Sequence, residues 1–412
     1  MPQYPKYKPS GIEWIGDIPE HWQIKRLKRF AKICNGQDQK SVVDENGQYP
    51  IYGTGGVFGR SNFYLHLGPS VLLGRKGTID KPRFIDEPFW SVDTSYYTDI
   101  YPTTNPKYFY YCCLTINFDL YKYGSAVPSM TQEALNQIPF ACPPQSEQQS
   151  IATYLDQKTA QIDSFITKKQ KLIDLLKEEK AAIINQAVTK GLDPNVKMKP
   201  SGIDWLGDIP EHWEMKKLKY LADIVLGKML TNDDKGGYYL KPYLRAANIG
   251  WFNVDVSDVK EMWFAPNEIA KFKLKPNDLL VSEGGEVGRT CIWESELSEC
   301  FIQNSVHKVT LKSKHNPIFY LYHFFVLGNM GHFDSIVNRI SIAHLTGEKL
   351  KEIYFVVPPF SEQNKIVVFL KEEVGKIDYA IARIEKEIEL MQEYRTALIS
   401  EVVTGKVDVR SI

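Results

Sequence analysis

The 412-residue sequence lacks an excess of charge of either sign, because 50 basic residues balance 50 acidic residues. A surface for a polyanion such as nucleic acid must therefore be a local patch and not a property of the whole chain. The six cysteines show no CxxC spacing, and the polar start MPQYPKYKPSG has no secretory signature. We therefore expect reduced thiols and a cytoplasmic location.

Long apolar runs and the common ligand-binding motifs are also missing. No apolar run approaches the roughly 20 residues that cross a bilayer, which predicts a chain without membrane segments. The eight histidines show no metal-ligand spacing, so no metal site is predicted. GTGG at residues 53–56 lacks the Gly-Lys-Ser/Thr continuation of a phosphate-binding loop, which argues against ATP binding.

What the sequence does contain is two internal repeats. KPSGIEWIGDIPEHWQIKRLKRFAKI recurs as KPSGIDWLGDIPEHWEMKKLKYLADI, and MTQEALNQIPFACPPQSEQQSI recurs as LTGEKLKEIYFVVPPFSEQNKI. The segments between the repeats, roughly 34–129 and 225–344, differ in length and in sequence. Since the chain is too long for one ordinary core, the pattern predicts two equivalent domains with a constant frame and variable inserts.

Each PP-x-SEQ block is followed by a helical pattern. The prolines exclude an earlier start, so Ser146 and Ser361 are expected as N-caps, with Gln149 completing a capping box. A weaker seam in the first helix, interrupted by Lys169 and Lys180, predicts that the two helices pair over about 60 Å. The stronger heptad seam, in the second helix, consists of Leu370, Val374, Ile377, Ile381, Ile384, Ile388, Met391, Leu398 and Val402.

The inserts are predicted to be mixed α/β domains built from short strands. SVLLGRKGTIDKPRFI and NDLLVSEGGEVGRTCIW both indicate a strand, a tight glycine turn and a second strand. Aligning Leu72 with Leu280 places Gly77 on Gly285. We therefore interpret the inserts as divergent versions of one domain.

The two proline motifs raise the question of catalysis. CPPQ and VPPF resemble the N/D-PP-Y/F loop of amino-group methyltransferases, but Cys142 and Val357 stand where that chemistry needs Asn or Asp. No glycine-rich loop for S-adenosylmethionine follows a strand elsewhere in the sequence. We expect a non-catalytic chain with no cofactor of its own.

Basic and polar residues of the inserts are candidates for DNA contact. Arginine and asparagine suit bidentate hydrogen bonding to guanine and adenine, and lysine suits phosphate. For any single residue, a structural ion pair is an equal alternative. The candidates are Arg60, Arg75, Lys76, Lys81, Arg83, Ser125, Arg245, Asn248, Arg289, Asn304, His307, Arg339 and His344.

The doubled signature SGIxWxGDIPEHWxxxxLK and the repeated order of frame, insert and helix resemble the specificity subunit of type I restriction-modification systems. The resemblance covers essentially the whole chain. It implies a mixed α/β fold with two target recognition domains separated by a pair of long antiparallel coiled-coil helices, and an internal pseudo-twofold repeat. The implied limits are 1–145 and 193–360 for the recognition domains with their framework repeats, and 146–192 and 361–412 for the helices.

The same resemblance implies a function. The chain would read a bipartite double-stranded DNA target, with one domain per half-site and a gap set by the helices. It would dock two modification (methyltransferase) subunits and join restriction (translocase and nuclease) subunits, and these partners would carry S-adenosylmethionine, ATP and Mg²⁺. Trp14, Trp22, Trp205 and Trp213 would be packing anchors of the frame. A free-standing DNA-modifying enzyme and a coiled-coil scaffold without a DNA role are the alternatives.

Overall fold

The computed structural model describes residues 2–124, 127–336 and 344–410. The chain forms two compact units. The first unit comprises Met1–Gln170 and Ile384–Ile412, and the second comprises Lys171–Arg383. Two of the DNA-contact candidates, Ser125 and Arg339, lie outside the described residues.

The first unit is built from short strands and helices. Its strands are β1 (Tyr7–Pro9), β2 (Asp17–Pro19), β3 (Gln23–Arg26), β4 (Ala31–Asn35), β5 (Tyr49–Gly53), β6 (Gly56–Ser61), β7 (Ser70–Gly74), β8 (Arg83–Ile85), β9 (Trp90–Ser91), β10 (Ser95–Ile100) and β11 (Pro139–Cys142). Its helices are α1 (Pro106–Leu114), α2 (Gln132–Gln137), the first part of α3 (Gln145–Lys190) and the end of α9 (Phe360–Val403). The strands form the pairs β1-β2 and β3-β11, a four-stranded sheet β4-β10-β7-β8 and a three-stranded sheet β6-β5-β9.

The second unit repeats this plan. Its strands are β12 (Met198–Pro200), β13 (Asp208–Pro210), β14 (Glu214–Lys217), β15 (Ala222–Leu226), β16 (Tyr239–Leu244), β17 (Lys260–Phe264), β18 (Leu279–Ser282), β19 (Thr290–Ile292), β20 (Phe301–Ile302), β21 (Val306–Leu311) and β22 (Tyr354–Val357). Its helices, besides the end of α3, are α4 (Leu218–Leu221), α5 (Ile269–Phe272), α6 (Pro317–Asn329), α7 (His332–Ile336), α8 (Gly347–Glu352) and the start of α9 (Phe360–Val403). The sheets are β12-β13, β14-β22, β15-β21-β18-β19 and β17-β16-β20, so the strand order matches that of the first unit. The predicted mixed α/β fold with an internal repeat is confirmed.

The long helices α3 and α9 pair in antiparallel fashion. In the first unit, the Nζ of Lys169 lies 2.7 Å from a carboxylate oxygen of Glu387. In the second unit, Lys180 lies 2.7 Å from Asp378. The buried seam residues, which confirm the heptad prediction, include Leu155, Ile162, Ile173, Leu370, Ile384 and Leu398.

The starts of the long helices differ by one residue from the prediction. Helices α3 and α9 begin at Gln145 and Phe360, so Ser146 and Ser361 lie inside the first turn and are not N-caps. Gln149 completes no capping box, because its Oε1 accepts a hydrogen bond from Asn105 Nδ2 at 2.7 Å. The prolines directly before each helix remain the reason why neither helix extends further toward the N-terminus.

The glutamine of each SEQ triplet ties its helix to the rest of the unit. In the first unit, Gln148 accepts a hydrogen bond from the backbone N–H of Asn105 and donates one to the carbonyl of Pro143. Gln363 makes the same two contacts in the second unit, with Asn316 and Pro358. Asn105 and Asn316 in turn cap α1 and α6. The repeated motif therefore connects three elements of each unit.

The glutamate of each SEQ triplet meets the EHW part of the duplicated signature. Glu147 accepts hydrogen bonds from Tyr4 and from the indole Nε1 of Trp22, and its other oxygen lies 2.7 Å from His21 Nε2. In the second unit, Glu362 lies 2.8 Å from His212 Nε2. These contacts explain why the two motifs occur together in both halves of the sequence.

Two of the four predicted packing anchors are fully buried, namely Trp22 and Trp213. Trp14 differs from the prediction, since 37% of its surface is exposed. Trp205 is partly buried and its ring lies 5.2 Å from the ring of His332. Within the described ranges, no helix is both long and apolar enough to cross a membrane.

Candidate nucleic-acid interface

Three candidates of the first unit, Arg75, Lys76 and Lys81, and one of the second, Arg289, lie in the connection between the last two strands of the four-stranded sheet. In the first unit, β7 and β8 are antiparallel and are joined by residues 75–82. In the second unit, β18 and β19 are antiparallel and are joined by residues 283–289. These loops are longer than the tight turns that the sequence predicts. Each contains a glycine with positive φ, at Gly77 (83°) and Gly285 (73°), as the sequence alignment suggests.

Backbone hydrogen bonds hold the loop of the first unit on both sides. The N–H of Arg75 donates to the carbonyl of Thr94, just before β10, at 2.9 Å. The carbonyl of Arg75 accepts from the N–H of Met130, just before α2, at 2.9 Å. The hydroxyl of Tyr96 donates to the Met130 carbonyl at 3.3 Å, so Met130 is held by both its N–H and its carbonyl.

The second unit builds the same arrangement from different side chains. The N–H of Glu283 donates to the carbonyl of Ser305 at 2.9 Å, and its carbonyl accepts from the N–H of Leu345 at 2.8 Å. His307 stands at the strand position of Tyr96 and lies 2.7 Å from the Leu345 carbonyl through Nε2. Since a carbonyl only accepts, Nε2 carries the proton. Burial lowers the pKa of His307, which keeps the ring neutral.

In the first unit, the candidates of this loop form a basic patch. Arg75 is half-buried, and its guanidinium donates to the carbonyl of Asp93 at 3.2 Å. Lys76, Lys81 and Arg83 are exposed. In the part of the chain that the structure describes, none of the four pairs with a carboxylate. The patch therefore keeps its positive charge available for phosphates and base edges.

Other candidates are engaged in the fold. Arg60 donates to the carbonyls of Gly47 and Gln48, both at 2.6 Å. Asn248 is buried, accepts from the N–H of Arg245, and donates to two further carbonyls. Arg60 and Asn248 therefore hold loops of the fold, and Nε2 of His307 does the same, whereas the buried Nδ1 of His307 has no partner among the described residues.

Arg245 and Arg289, the two arginine candidates of the second unit that lie within the described residues, are ion-paired. Arg245 pairs with Asp258. Arg289 lies 3.2 Å from Glu286, and it donates to the carbonyl of Ala246 at 3.3 Å. A contact of either arginine with DNA would need these pairs to open or to be shared, so the alternative of a structural ion pair is the one that the structure supports for both.

Asn304 and His344 line an open pocket of about 500 Å³ beside the second loop. The pocket is also lined by Glu283, a carboxylate, which is not among the basic and polar candidates for DNA contact. The alignment of Leu72 with Leu280 already places Glu283 on Arg75. That register, and not residue type, was the signal that could have identified it.

Comparison with known proteins agrees with this architecture. The family model described as the type I restriction modification DNA specificity domain matches residues 19–175 and 210–390. The type I restriction enzyme MjaVIII specificity subunit of Methanocaldococcus jannaschii is 23% identical over 431 residues, which cover 96% of this chain and 95% of that protein.

Solved structures are similar in fold. A chain from a structural study of complex assembly and conformational transition of the type I R-M system has a TM-score of 0.72 at 12% identity, covering 95% of this chain and 99% of its own. The HsdS subunit from Thermoanaerobacter tengcongensis has a TM-score of 0.52 at 13% identity, with coverages of 95% and 98%. Because the family model covers most of both halves of the chain and the fold repeats in the same two halves, this protein belongs to the family of type I restriction-modification DNA specificity subunits.

Proposed function

We propose that this chain reads a bipartite double-stranded DNA target, with the loop 75–82 contacting one half-site and the loop 283–289 contacting the other. One observation carries the proposal. The two loops share their backbone hydrogen bonds but not their side chains, and this is the arrangement expected when one scaffold serves two different base sequences. As a specificity subunit, the chain is the recognition component of its system and not the catalyst.

The distribution of charge supports DNA contact in spite of the zero net charge. Residues 75–83 contain four basic residues and one acidic residue, so the first loop alone can attract phosphates. Residues 283–291 contain one basic and two acidic residues. The second loop therefore depends more on base contacts, and on basic residues elsewhere in its unit, for its share of the affinity.

The frame supports the proposal of two modification subunits. The contacts of Gln148 recur at Gln363, and the contact of His21 with Glu147 recurs between His212 and Glu362, so a partner that binds the frame of one unit is expected to bind the frame of the other. We propose that two methyltransferase subunits bind these surfaces and that restriction subunits join the complex. S-adenosylmethionine, ATP and Mg²⁺ then belong to the partners, and the complex acts on chromosomal DNA in the cytoplasm.

A binding experiment tests the proposal directly. The chain with its modification subunits is expected to bind one bipartite sequence more tightly than others, and with an affinity that falls as salt rises. The chain alone is expected to transfer no labelled methyl groups to DNA, because Cys142 and Val357 replace the Asn or Asp of amino-group methyltransferases. Equal affinity for all sequences, or methyl transfer by the chain alone, would contradict the proposal.

A domain exchange tests whether the two units read independently. Residues 34–129 would be replaced by the corresponding insert of a relative, which leaves the signature and the PP-x-SEQ block in place. We expect one half of the methylated sequence to change and the other half to stay the same. A simultaneous change of both halves would show that the inserts do not act as separate readers.

A further inference from the structure

The loops after β7 and β18 place residues of opposite charge at one position of a shared scaffold. Arg75 and Glu283 each follow the strand directly, and they lie two residues before Gly77 and Gly285, which have positive φ. The backbone N–H of each donates to the carbonyl just before the neighbouring strand, at Thr94 or Ser305. The backbone carbonyl of each accepts from the N–H of Met130 or Leu345, two residues before α2 or α8. A ligand that meets the two units in the same way would therefore meet an arginine in one and a glutamate in the other.

Glu283 is placed to accept a hydrogen bond. It is half-buried in the pocket of about 500 Å³ that also contains Asn304 and His344. Burial raises the pKa of its carboxyl group, and the charge of His344 opposes that rise. Over residues 2–124, 127–336 and 344–410, no side chain or backbone N–H donates to this carboxylate. A partly desolvated acceptor without a donor is costly, and a ligand that supplies the donor recovers that cost.

Asn304 adds a donor to the same pocket. Its Oδ1 accepts a hydrogen bond from Gln303 Nε2 at 2.8 Å, which directs its amide Nδ2 to other partners. Among the described residues, no group accepts from that Nδ2. An acceptor and a donor in one pocket match the edge of a base pair in the major groove, where an exocyclic amino group lies beside a carbonyl oxygen.

A carboxylate on a DNA-binding surface is restricted in what it can contact. Phosphates repel it, whereas the amino groups of cytosine and adenine donate hydrogen bonds to it. We propose that Glu283 is a specificity-determining residue of the second half-site, which accepts a hydrogen bond from N4 of a cytosine or N6 of an adenine. The proposal rests on the function proposed above. It also gives Arg75 the corresponding place in the first half-site, where an arginine would donate to guanine.

Removal of single amino groups from the DNA tests this proposal. The complex with modification subunits would be titrated with duplexes in which pyrimidin-2-one replaces one cytosine, or unsubstituted purine replaces one adenine, at each place in the second half-site. One replacement is expected to weaken wild-type binding by about 5- to 150-fold. Which of the two analogues has this effect tells cytosine from adenine.

The Glu283→Ala variant completes the experiment. It is expected to bind the intact target more weakly by the same factor and to show no further loss with the critical analogue. Glu261→Ala, which removes an exposed carboxylate on β17, is the matched control and should keep the wild-type response. Unchanged preferences in the first half-site show that the variant complex is folded. If Glu283→Ala keeps the wild-type response to every analogue, the proposal is overturned.

If Glu283→Ala does not assemble with the modification subunits, a second variant tests the proposal. The scaffold accommodates an arginine at Arg75, so Glu283→Arg is expected to fold and to change the preferred base to guanine at the same base pair. Retention of the wild-type preference would overturn the proposal. A wild-type complex that shows no sequence preference at all would instead contradict the proposed function, which separates the two failures.

Discussion

The frame of each unit and the insert between its repeated motifs, which we call the recognition segment (roughly 34–129 and 225–344), are repeated in different ways. The frame repeats its side chains, because Gln148 and Gln363 make the same pair of hydrogen bonds in the two units. The recognition segments repeat their backbone and exchange the side chains, as Arg75 and Glu283 show. In these pairs the frame keeps the identity of its hydrogen-bonding side chains, whereas the loops keep only the backbone position.

The interiors of the two recognition segments differ as well. Beside the three-stranded sheet of the first unit lie two small buried clusters, one around Phe89 and one around Trp90. The second unit has one larger cluster there, which includes Phe264, Phe301 and Trp293. The same strand order is therefore stabilised by a continuous core in one unit and by separate patches in the other.

The largest expected effect comes from removing one matched aromatic residue from each of these interiors. Trp90 and Phe301 are equivalent, because they pair in parallel with Ile51 and Tyr243 in the same sheet position. Phe301→Ala is expected to cost about 3–5 kcal/mol of unfolding free energy, since its ring is fully buried against Phe264. Amide hydrogen exchange, resolved by segment, would assign the loss to the second unit.

The matched change, Trp90→Ala, should cost less than Phe301→Ala. Its cluster is small and the ring is 8% exposed, so water can reach the space that the substitution opens. An equal or larger cost would show that the separate patches of the first unit act as one core.

A smaller difference is expected at the glutamates of the frame. Glu147 is 8% exposed and accepts from Tyr4 and Trp22. Burial and the charge of Glu147 raise the pKa of Tyr4 above its usual range, so its hydroxyl remains a donor. Glu147→Ala leaves both donors without their acceptor and should cost about 1.5–3 kcal/mol.

Glu362→Ala is the matched control. Glu362 contacts the half-exposed His212, and the indole nitrogen of Trp213 has no partner among the described residues even in the wild type. We expect a cost below about 1 kcal/mol, because water replaces a solvent-exposed pair. Denaturant unfolding followed by segment-resolved exchange would compare the two variants, and equal costs would remove this distinction between the frames.

The fold could largely be predicted from the sequence, and the site only in part. Repeats and heptads are local patterns, so the helix pairing and the duplicated units followed from residues such as Leu155 and Leu370. The structural role of His307 could not be predicted from such patterns, because it depends on a hydrogen bond to Leu345, which lies 38 residues further along the chain. The prediction that Trp14 is a packing anchor was also wrong, because the shared signature does not determine how much of each tryptophan ring other residues bury.

The importance of Glu283 was missed for a different reason. A search for DNA contacts by residue type selects basic and neutral polar side chains and omits a carboxylate. Only its place on the scaffold, shared with Arg75, draws attention to it. The ion pairs of Arg245 and Arg289 could not be predicted from the sequence either, because their partners are brought near only when the loops fold.

A pH-dependent difference is expected between the units. His323 of the second unit is fully buried, and burial lowers its pKa to about 3. Its Nε2 accepts from the N–H of Val356 at 3.3 Å, which requires the neutral ring. The unfolded chain takes up the proton below about pH 6.5 and the folded unit does not, so stability is present above that pH and is lost as the pH falls.

At pH 5 this histidine alone should lower the stability of the second unit by about 2 kcal/mol relative to pH 7. The two histidines of the first unit, His21 and His66, are not fully buried, so a smaller fall is expected there. Urea unfolding at both pH values, read by exchange in each unit, would test the difference. His323→Gln should reduce the pH response of the second unit by about this amount and leave the contribution of His307, and a response that does not change would assign it to other groups.

The smallest effect is expected at the two lysines that interrupt the seam of α3. Lys180 contacts both carboxylate oxygens of Asp378, at 2.7 and 2.9 Å, whereas Lys169 contacts one oxygen of Glu387 at 2.7 Å. The side chains of the lysines are 18% and 25% exposed, and those of the carboxylates are 51% and 41% exposed, so water can solvate the acid after the lysine is removed. Half-exposed pairs of this kind contribute little, and leucine in a seam buries apolar surface instead.

Lys169→Leu and Lys180→Leu should therefore each change the unfolding free energy by less than about 1 kcal/mol. Lys169→Leu is expected to be the more favourable of the two, because it gives up one contact where Lys180→Leu gives up two. Thermal unfolding at low and high salt would separate the contribution of the ion pair from that of the buried leucine, since salt screens the ion pair and leaves the apolar contribution unchanged. A loss of several kcal/mol for either variant would mean that the lysines determine the pairing of the helices, and that the apolar seam alone does not.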